Sequence, residues 1–296
     1  MKNFFIFIVV FCFNTTIVFS QKSDTLALNS NTSKKILPLE IDENSGLIYL
    51  KNLLFTFNDS GGKPEIYTFN PVDGSIKNTI YLKNASNIDW EAITTDGETI
   101  YIGDFGNNRG NRKDLSIYKI KIDEINFELA QQEVENLKIT FEIEGQTTFE
   151  NLNRKNDFDI ESMVFYNQKI HFFTKEWVSM QTTHHTLNPN ILHQISQKIE
   201  TFPVSYCVTD ASIDQNNLLL VGYTKESLAY LSIFTISDNE LFFNQPQQKI
   251  FLGLTPGIGQ IEGITTSDKH IYISGEAMKY GGFNHDQVFY TLDKMY

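Results

Sequence analysis

An internal repeat is the feature that most constrains how this chain can fold. Five segments share an opening that contains a polar or acidic residue, then a small residue and, in most cases, an apolar one. They are Asn44-Ser45-Gly46-Leu47, Trp90-Glu91-Ala92-Ile93, Ile160-Glu161-Ser162-Met163, Thr209-Asp210-Ala211-Ser212 and Ile261-Glu262-Gly263-Ile264. A second strand-like segment ends at the same offset after each opening. Self-similarity at a fixed spacing predicts a repeat architecture.

Each unit has the pattern of a meander of β-strands. The openings start at residues 44, 90, 160, 209 and 261. Apart from the longer second interval, the spacings between these starts are close to the period of about 40–50 residues that is typical of β-propeller blades. The sequence therefore predicts an all-β fold, a β-propeller of four-stranded blades. Five blades are favoured, or six if the long second interval hides a further blade. Residues 123–136 in that interval are expected to form a long loop or a short helix.

The last unit has room for only three strands. A strand-like segment at Lys35–Glu40 precedes the first unit, so we expect it to complete the last blade. Such closure removes the open sheet edges that promote aggregation. The 24 Phe and 13 Tyr residues also favour β-structure, because aromatic side chains suit strands.

The N-terminus has the pattern of a secretory signal peptide. Lys2 precedes an apolar run, Phe4–Phe13, which is shorter than the roughly 20 residues that span a membrane. We therefore predict a signal peptide at residues 1–20, a polar spacer at 21–33 and one propeller domain at 34–296. The chain is expected outside the bacterial cytoplasm, either secreted, periplasmic or on the cell surface, without a membrane span after cleavage. An uncleaved anchor is the alternative.

Net charge limits the kinds of partner, and cysteine content limits the possible disulfides. The formal net charge is −12, which disfavours nucleic acid as a partner and permits a cation. Cys207 is the only cysteine beyond the predicted signal peptide, so an intrachain disulfide is excluded for the mature chain. We expect a monomer whose partner is an extracellular ligand or protein.

Acidic residues recur at the repeat openings. Because innermost strands line the channel of a propeller, Glu91, Glu161, Asp210 and Glu262 are expected to form a ring, with Ser45 in the place of the acid in the first blade. Like charges held close together are unfavourable without a proton, a base or a cation. Ca²⁺ fits such oxygen ligands. The alternative is that each acid caps its strand or accepts bonds from backbone amides of the next blade.

Polar loops follow the second strand of the first two blades. Asn58 and Asp59 lie in one loop, and Asp104, Asn107 and Asn108 lie in the other. Their side chains offer oxygen ligands, or they form Asx-turns. We expect both loops on one face, near the acidic ring.

A pair of adjacent histidines, His184-His185, is a weaker candidate. Alternation along a strand would point the two rings to opposite faces, which does not suit binding of one ion. We expect an exposed pair.

Several of these motifs resemble a family of secreted bacterial β-propellers whose activity is not assigned. The matching stretches are Asn58-Asp59-Ser60-Gly61, Asn87–Ile93, Gly103–Asn108 and Gln260–Ile264. The chain is more distantly similar to the SdiA-regulated and esterase-like phytase propellers. The resemblance implies the propeller fold, and it implies an activity only weakly.

Two functional classes are consistent with the sequence. One is a binding or interaction module with a calcium ion near the central channel. The other is a metal-assisted hydrolase of phosphoesters or lactones. A basic phosphate clamp would indicate the hydrolase, and Arg109, Arg112 and Lys175 are the nearby cations. The binding module is favoured.

Overall fold

Five β-sheets, each built on a meander of four strands, surround a central axis in the computed structural model, which describes residues 23–28, 33–237, 241–280 and 283–294. The five-bladed propeller is confirmed, and within these described ranges the strands form five blades and no sixth. The predicted signal peptide at residues 1–20 lies outside the described residues. Among the described residues, no helix is both long and apolar enough to cross a membrane.

Each blade is a meander that runs from the axis outwards. Blade 1 contains Asn44–Leu50, Leu53–Asn58, Glu65–Phe69 and Ile76–Leu82. Blade 2 contains Trp90–Thr95, Thr99–Asp104, Ser116–Lys121 and Leu137–Glu142. Blade 3 contains Asp159–Tyr166, Lys169–Lys175, Thr182–Leu187 and Gln197–Phe202. Blade 4 contains Cys207–Asp214, Asn217–Tyr223, Leu228–Thr235 and Gln247–Leu254. Blade 5 contains Gln260–Thr266, His270–Glu276, Val288–Asp293 and Ser33–Ile36.

The N-terminal strand closes the propeller, as predicted. Ser33–Ile36 pairs antiparallel with the third strand of blade 5. The strand lies slightly before the predicted segment, because the chain turns at Leu39–Ile41 into a short 3₁₀ helix. Phe69 of blade 1 packs edge-on against Phe289 of blade 5, with ring centroids 5.4 Å apart. Backbone pairing and aromatic packing together join the first and last blades.

Three blades carry a fifth, parallel outer strand. Gln131–Val134 joins blade 1, His193–Ile195 joins blade 2 and Ser23–Thr25 joins blade 4. The first two come from the connection between the third and fourth strands of the following blade. The long second interval is therefore an extension that reaches back to blade 1. Residues 21–33 were expected to form a spacer, but this segment contributes the outer strand Ser23–Thr25 to blade 4. Leu28, which follows that strand, is buried.

The remaining regular elements are short. They are a 3₁₀ turn at Ile122–Glu124, a four-residue α-helix at Thr255–Ile258, and a hairpin of Met278–Tyr280 with Phe283–His285.

Local sequence explains the tight turns and the core. Lys51 and Asn52, which join the first two strands of blade 1, both have positive φ values, as a two-residue hairpin turn with the right twist requires. Trp90 is fully buried and packs edge-on against Phe57 of the neighbouring blade, with centroids 5.4 Å apart. Aromatic side chains between blades hold the sheets face to face.

Candidate functional site

A one-residue β-bulge near the start of the innermost strand recurs in blades 2 to 5, and in blade 1 the register shifts between Ser45 and Ile48. The bulged residues are Glu91, Glu161, Thr209 and Glu262. A bulge leaves one residue unpaired and re-aims its side chain. The three glutamates all come from the end of the propeller where the innermost strands begin, which we call the acidic face. They are nearly buried there.

Asp210 has a different position from the three glutamates. It follows the bulge of blade 4 and pairs with Val221, and the bulge itself is at Thr209, whose hydroxyl donates to the carbonyl of Ile261 at 2.7 Å. Oδ2 of Asp210 accepts a hydrogen bond from the amide of Ile264 at 2.7 Å. Asp210 thus accepts a bond from a backbone amide of the next blade, which is the alternative to a cation site given in the sequence analysis. Ser45 has a similar role, because its hydroxyl donates to the carbonyl of Glu91 at 3.0 Å.

A second set of side chains reaches the acidic face from the ends of the second strands. Lys175, Tyr223 and Glu276 are each the last residue of their strand. Each pairs with the residue two positions before the bulge. In blades 3 and 5, charged side chains from both the first and the second strand therefore lie on the acidic face, and in blade 4 Tyr223 reaches it from the second strand.

Three carboxylates converge at one side of this mouth. Oxygen atoms of Asp59, Asp89 and Glu91 all lie within 4.8 Å of one another. Asp59 comes from the loop after the second strand of blade 1, whereas Asp89 and Glu91 flank Trp90 at the start of blade 2. The group combines one residue of the predicted ring, Glu91, with one of the predicted polar loops, Asp59. We call it the carboxylate triad.

The triad is short of hydrogen-bond donors. Glu91 is 3% exposed, and among the described residues its carboxylate accepts no hydrogen bond. Burial, then the Asp59 and Glu161 carboxylates, raise its pKa well above the usual range. Burial and Asp89 raise the pKa of Asp59 to about 7, and burial and Asp159 raise that of Asp89 to about 6. A cation would relieve this repulsion.

Gly106 makes room for the triad. A Cβ atom at this position would lie 2.5 Å from Oε1 of Glu91 and would also overlap the Asp89 carboxylate. The amide of Gly106 donates to the carbonyl of Asp89 at 3.1 Å, which fixes the loop against the strand. Only glycine allows the backbone to approach the two carboxylates so closely.

A buried ion pair also lies on the acidic face. Nζ of Lys175 contacts the carboxylate of Glu161, and both side chains are 4% exposed. Burial alone would lower the pKa of Lys175, but Glu161 and the neighbouring acidic groups hold it well above its usual value. Lys175 is therefore a fixed positive charge. Glu262 lies nearby and accepts hydrogen bonds from Tyr223 at 3.1 Å and Gln260 at 2.8 Å.

The predicted polar loop of blade 2 is held by hydrogen bonds to Arg112 and to neighbouring segments of the chain. Asp104 accepts hydrogen bonds from the amide of Asp89 at 3.1 Å and from Arg112 at 3.0 Å. Asn107 donates to the carbonyl of Phe158 at 3.1 Å and accepts from the amide of Arg112 at 2.9 Å. Neither side chain accepts a bond from the amide two residues further on, as an Asx-turn requires, so both residues fasten the loop in another way.

Asn58 and Asn108 also lie on this face. The side chain of Asn58 donates to the carbonyl of Glu40 at 2.8 Å, so it fastens the loop that carries Asp59. Asn108 lines a cleft beside the triad.

The cleft has a volume of about 400 Å³. Asp89 and Gly106 form the wall that it shares with the triad, and Arg109 is an exposed cation on its rim. A molecule in this cleft would contact the triad on one side and a guanidinium on the other.

The histidine pair lies outside this site, and the prediction that it is exposed is wrong. His184 and His185 are buried on opposite faces of the third strand of blade 3. His184 packs on Phe173 and Phe242, and His185 stacks on Phe172. Aromatic neighbours on both faces of the sheet bury the imidazoles.

Comparisons with known proteins leave the function open. No protein-family model matches the chain, and no curated protein matches it. A putative oxidoreductase (glucose dehydrogenase) from Thermus thermophilus has a similar solved structure, with a TM-score of 0.46 and 8% identity, over 88% of this chain and 100% of that one. A putative 6-phosphogluconolactonase from Bacteroides uniformis gives a TM-score of 0.42 and 13% identity, over 86% of this chain and 72% of that one. At these scores neither protein informs the chemistry of the site.

Proposed function

We propose that this protein is a binding module of the cell exterior that holds one divalent cation, Ca²⁺, at Asp59, Asp89 and Glu91. The observation that carries the proposal is the carboxylate triad itself, in which three acidic side chains have oxygens within 4.8 Å of one another and the most buried of them, Glu91, accepts no hydrogen bond from the described residues. The signal peptide predicted from the sequence supports a location of the protein outside the cytoplasm.

The donor set suits calcium. Carboxylate oxygens are the ligands that Ca²⁺ prefers, and it tolerates irregular geometry with coordination completed by water or ligand. The cleft beside Asp89 leaves one side of the triad open to such a ligand. An acidic, oxygen-rich molecule could then bridge the cation and the exposed Arg109.

A binding function is favoured over metal-assisted hydrolysis. Hydrolysis of a phosphoester would require a basic clamp, but Arg112 donates to Asp104, Asp114 and the carbonyl of Gly106. Lys175 is paired with Glu161. Of the three cations named from the sequence, only Arg109 is exposed toward the cleft.

Isothermal titration calorimetry of chelator-treated protein with CaCl₂ tests the proposal. We expect one Ca²⁺ per chain, and we expect Glu91→Gln to weaken its affinity by at least about tenfold, because the amide keeps the shape but removes the charge that Ca²⁺ needs. The absence of a binding isotherm with about 1 mM CaCl₂ would reject the calcium site.

A matched control is available in the same blade. Glu98 is exposed in the turn at the opposite end of the innermost strand, so Glu98→Gln removes the same charge far from the triad. Its calcium affinity should equal that of the wild type. An equal loss in both variants would mean that general electrostatics, rather than the triad, attract the ion.

A further inference from the structure

Lys175 is almost fully buried in the acidic face, which is unusual for a lysine. Its side chain is 4% exposed and is paired with Glu161, and Nζ lies 4.8 Å from the ring centroid of Trp177 and 5.3 Å from that of Tyr223. Aromatic faces and a carboxylate are the usual surroundings of a bound cation. The ammonium group of Lys175 therefore occupies a pocket whose carboxylate and aromatic rings suit a cation.

Glu262 forms the other wall of this pocket. Its Oε1 accepts two hydrogen bonds, whereas Oε2 is buried and has no hydrogen-bond partner among the described residues. Nζ of Lys175 lies 3.4 Å from the hydroxyl of Tyr223, which itself donates to Glu262. The ammonium group is thus one hydroxyl away from a second buried carboxylate, and its charge offsets both.

Lys175 differs in charge from the residues at the equivalent position of other blades. The equivalent residues of blades 4 and 5 are Tyr223 and Glu276, so a cation at this position occurs in blade 3 alone among these three blades. Without it, Glu161 and Glu262 would be two nearly buried carboxylates with no positive charge between them. Such a pair binds a proton or a metal ion.

We propose that Lys175 is an internal cation that fills the Glu161–Glu262 half of the channel mouth and thereby limits the acidic face to one divalent ion. Lys175 is then a specificity-determining residue for cation binding. The number of ions rests on the proposed function, because the first ion belongs to the carboxylate triad.

Calcium stoichiometry in the variant Lys175→Met tests this inference. Methionine keeps the length and apolar stem of the lysine but removes its charge. Calorimetry of the full mature chain with CaCl₂ should give two ions per chain for Lys175→Met and one for the wild type. Lys175→Arg, which keeps the charge, should give one. A single ion in folded Lys175→Met would overturn the inference.

The same titrations separate this inference from the proposed function. No ion in the wild type together with one in Lys175→Met would reject the calcium site at the triad and still support the role of Lys175. In the double variant Lys175→Met/Glu262→Gln the additional ion should be lost. Its retention would place that ion away from Glu262 and contradict the proposal.

A second variant answers the question even if Lys175→Met does not fold. If Glu262 is not a ligand of the first ion, then Glu262→Gln should leave the calcium affinity of an otherwise unchanged chain within about threefold of the wild-type value, because Glu262 has a weaker influence on Asp59 than burial and Asp89 have. A loss of about tenfold or more would make Glu262 a ligand of the first ion. It would show that one ion spans the whole ring and would overturn the separation into two halves.

Discussion

The side-chain amide of Gln287 donates a hydrogen bond to the carbonyl oxygen of Leu37 at 3.0 Å, across 250 residues of sequence. A second bond from the same nitrogen reaches the carbonyl of Pro38, also at 3.0 Å. Gln287 is 3% exposed. A side chain of blade 5 therefore fixes the chain directly after the C-terminal end of the strand Ser33–Ile36, which completes that blade.

Removal of this strand should destabilise the whole propeller. A mature chain that lacks residues 21–36 loses both Ser23–Thr25 and Ser33–Ile36, which exposes the outer edges of blades 4 and 5. An unpaired edge loses backbone bonds and promotes aggregation. We expect a lower melting temperature by circular dichroism and aggregation on heating. An unchanged melting temperature would contradict the closure.

The point variant Gln287→Ala measures the fastening alone. The Pro38 carbonyl keeps a hydrogen bond from the amide of Ile41, but the buried Leu37 carbonyl loses its donor, which should lower the free energy of unfolding by about 1–3 kcal/mol. Gln197→Ala is the matched control, because Gln197 is exposed on the outer strand of blade 3. Urea unfolding should show little change for the control.

Substitution of Gly106 should disrupt calcium binding. In Gly106→Ala the new Cβ would push the Glu91 and Asp89 carboxylates apart, so we expect calcium affinity to fall by about 10- to 100-fold, as for other residues that position metal ligands. In the control Gly62→Ala, on the same face, the added Cβ would meet its nearest atom at 3.7 Å, so calcium affinity should be unchanged. Equal calcium affinity in Gly106→Ala and the wild type would show that the triad does not hold the ion.

The blades could be predicted from the sequence because their signal is local. The openings, the second strands and the closing strand all follow from patterns within a few residues. The parallel strands Gln131–Val134 and His193–Ile195 could not be predicted in this way, because each pairs with a different blade. Their short polar sequences carry no sign of that partner.

The candidate site could be predicted only in part. The repeat predicts Glu91, but it does not predict Asp89 as a ligand, because Asp89 precedes the strand Trp90–Thr95 and the bulge at Glu91 interrupts the alternation of side chains. Asp210 matched the pattern, yet the bulge at Thr209 shifts its position, and bulges leave no clear sequence signal. The sequence identifies Lys175 as a nearby cation, but its pairing with Glu161 depends on the register between two strands.

Acidification should weaken the fold through the buried histidines. Burial, and then the neighbouring His184, lower the pKa of His185 to about 3, so the folded state keeps this ring neutral while the unfolded chain protonates it below its ordinary pKa of about 6.5. Stability from this residue is complete above a pH of about 6.5 and is lost as the pH falls toward about 3. The advantage of the wild type over His185→Gln should shrink by roughly 3 kcal/mol between about pH 7 and pH 4. A constant difference in urea unfolding would contradict the shift.

The opposite pH dependence is expected for Glu276. Burial and the Glu262 carboxylate raise its pKa to about 9, whereas the unfolded chain loses this proton near the ordinary glutamate value of 4.5. Its folded-state proton is therefore favourable at low pH, and that contribution is lost as the pH rises from 4.5 to about 9. Glu276→Gln imitates the protonated side chain, including a donor at the same place. In chelator, the variant should match the wild type near pH 4 and exceed its stability by at least about 1.4 kcal/mol at about pH 8, the equivalent of one pKa unit. Urea unfolding at the two pH values measures this, and Glu98→Gln is the control, because an exposed carboxylate should show no such gain at the higher pH. If Glu276→Gln is no more stable than the wild type there, Glu276 is ionised in the folded protein and adds a further negative charge to the acidic face.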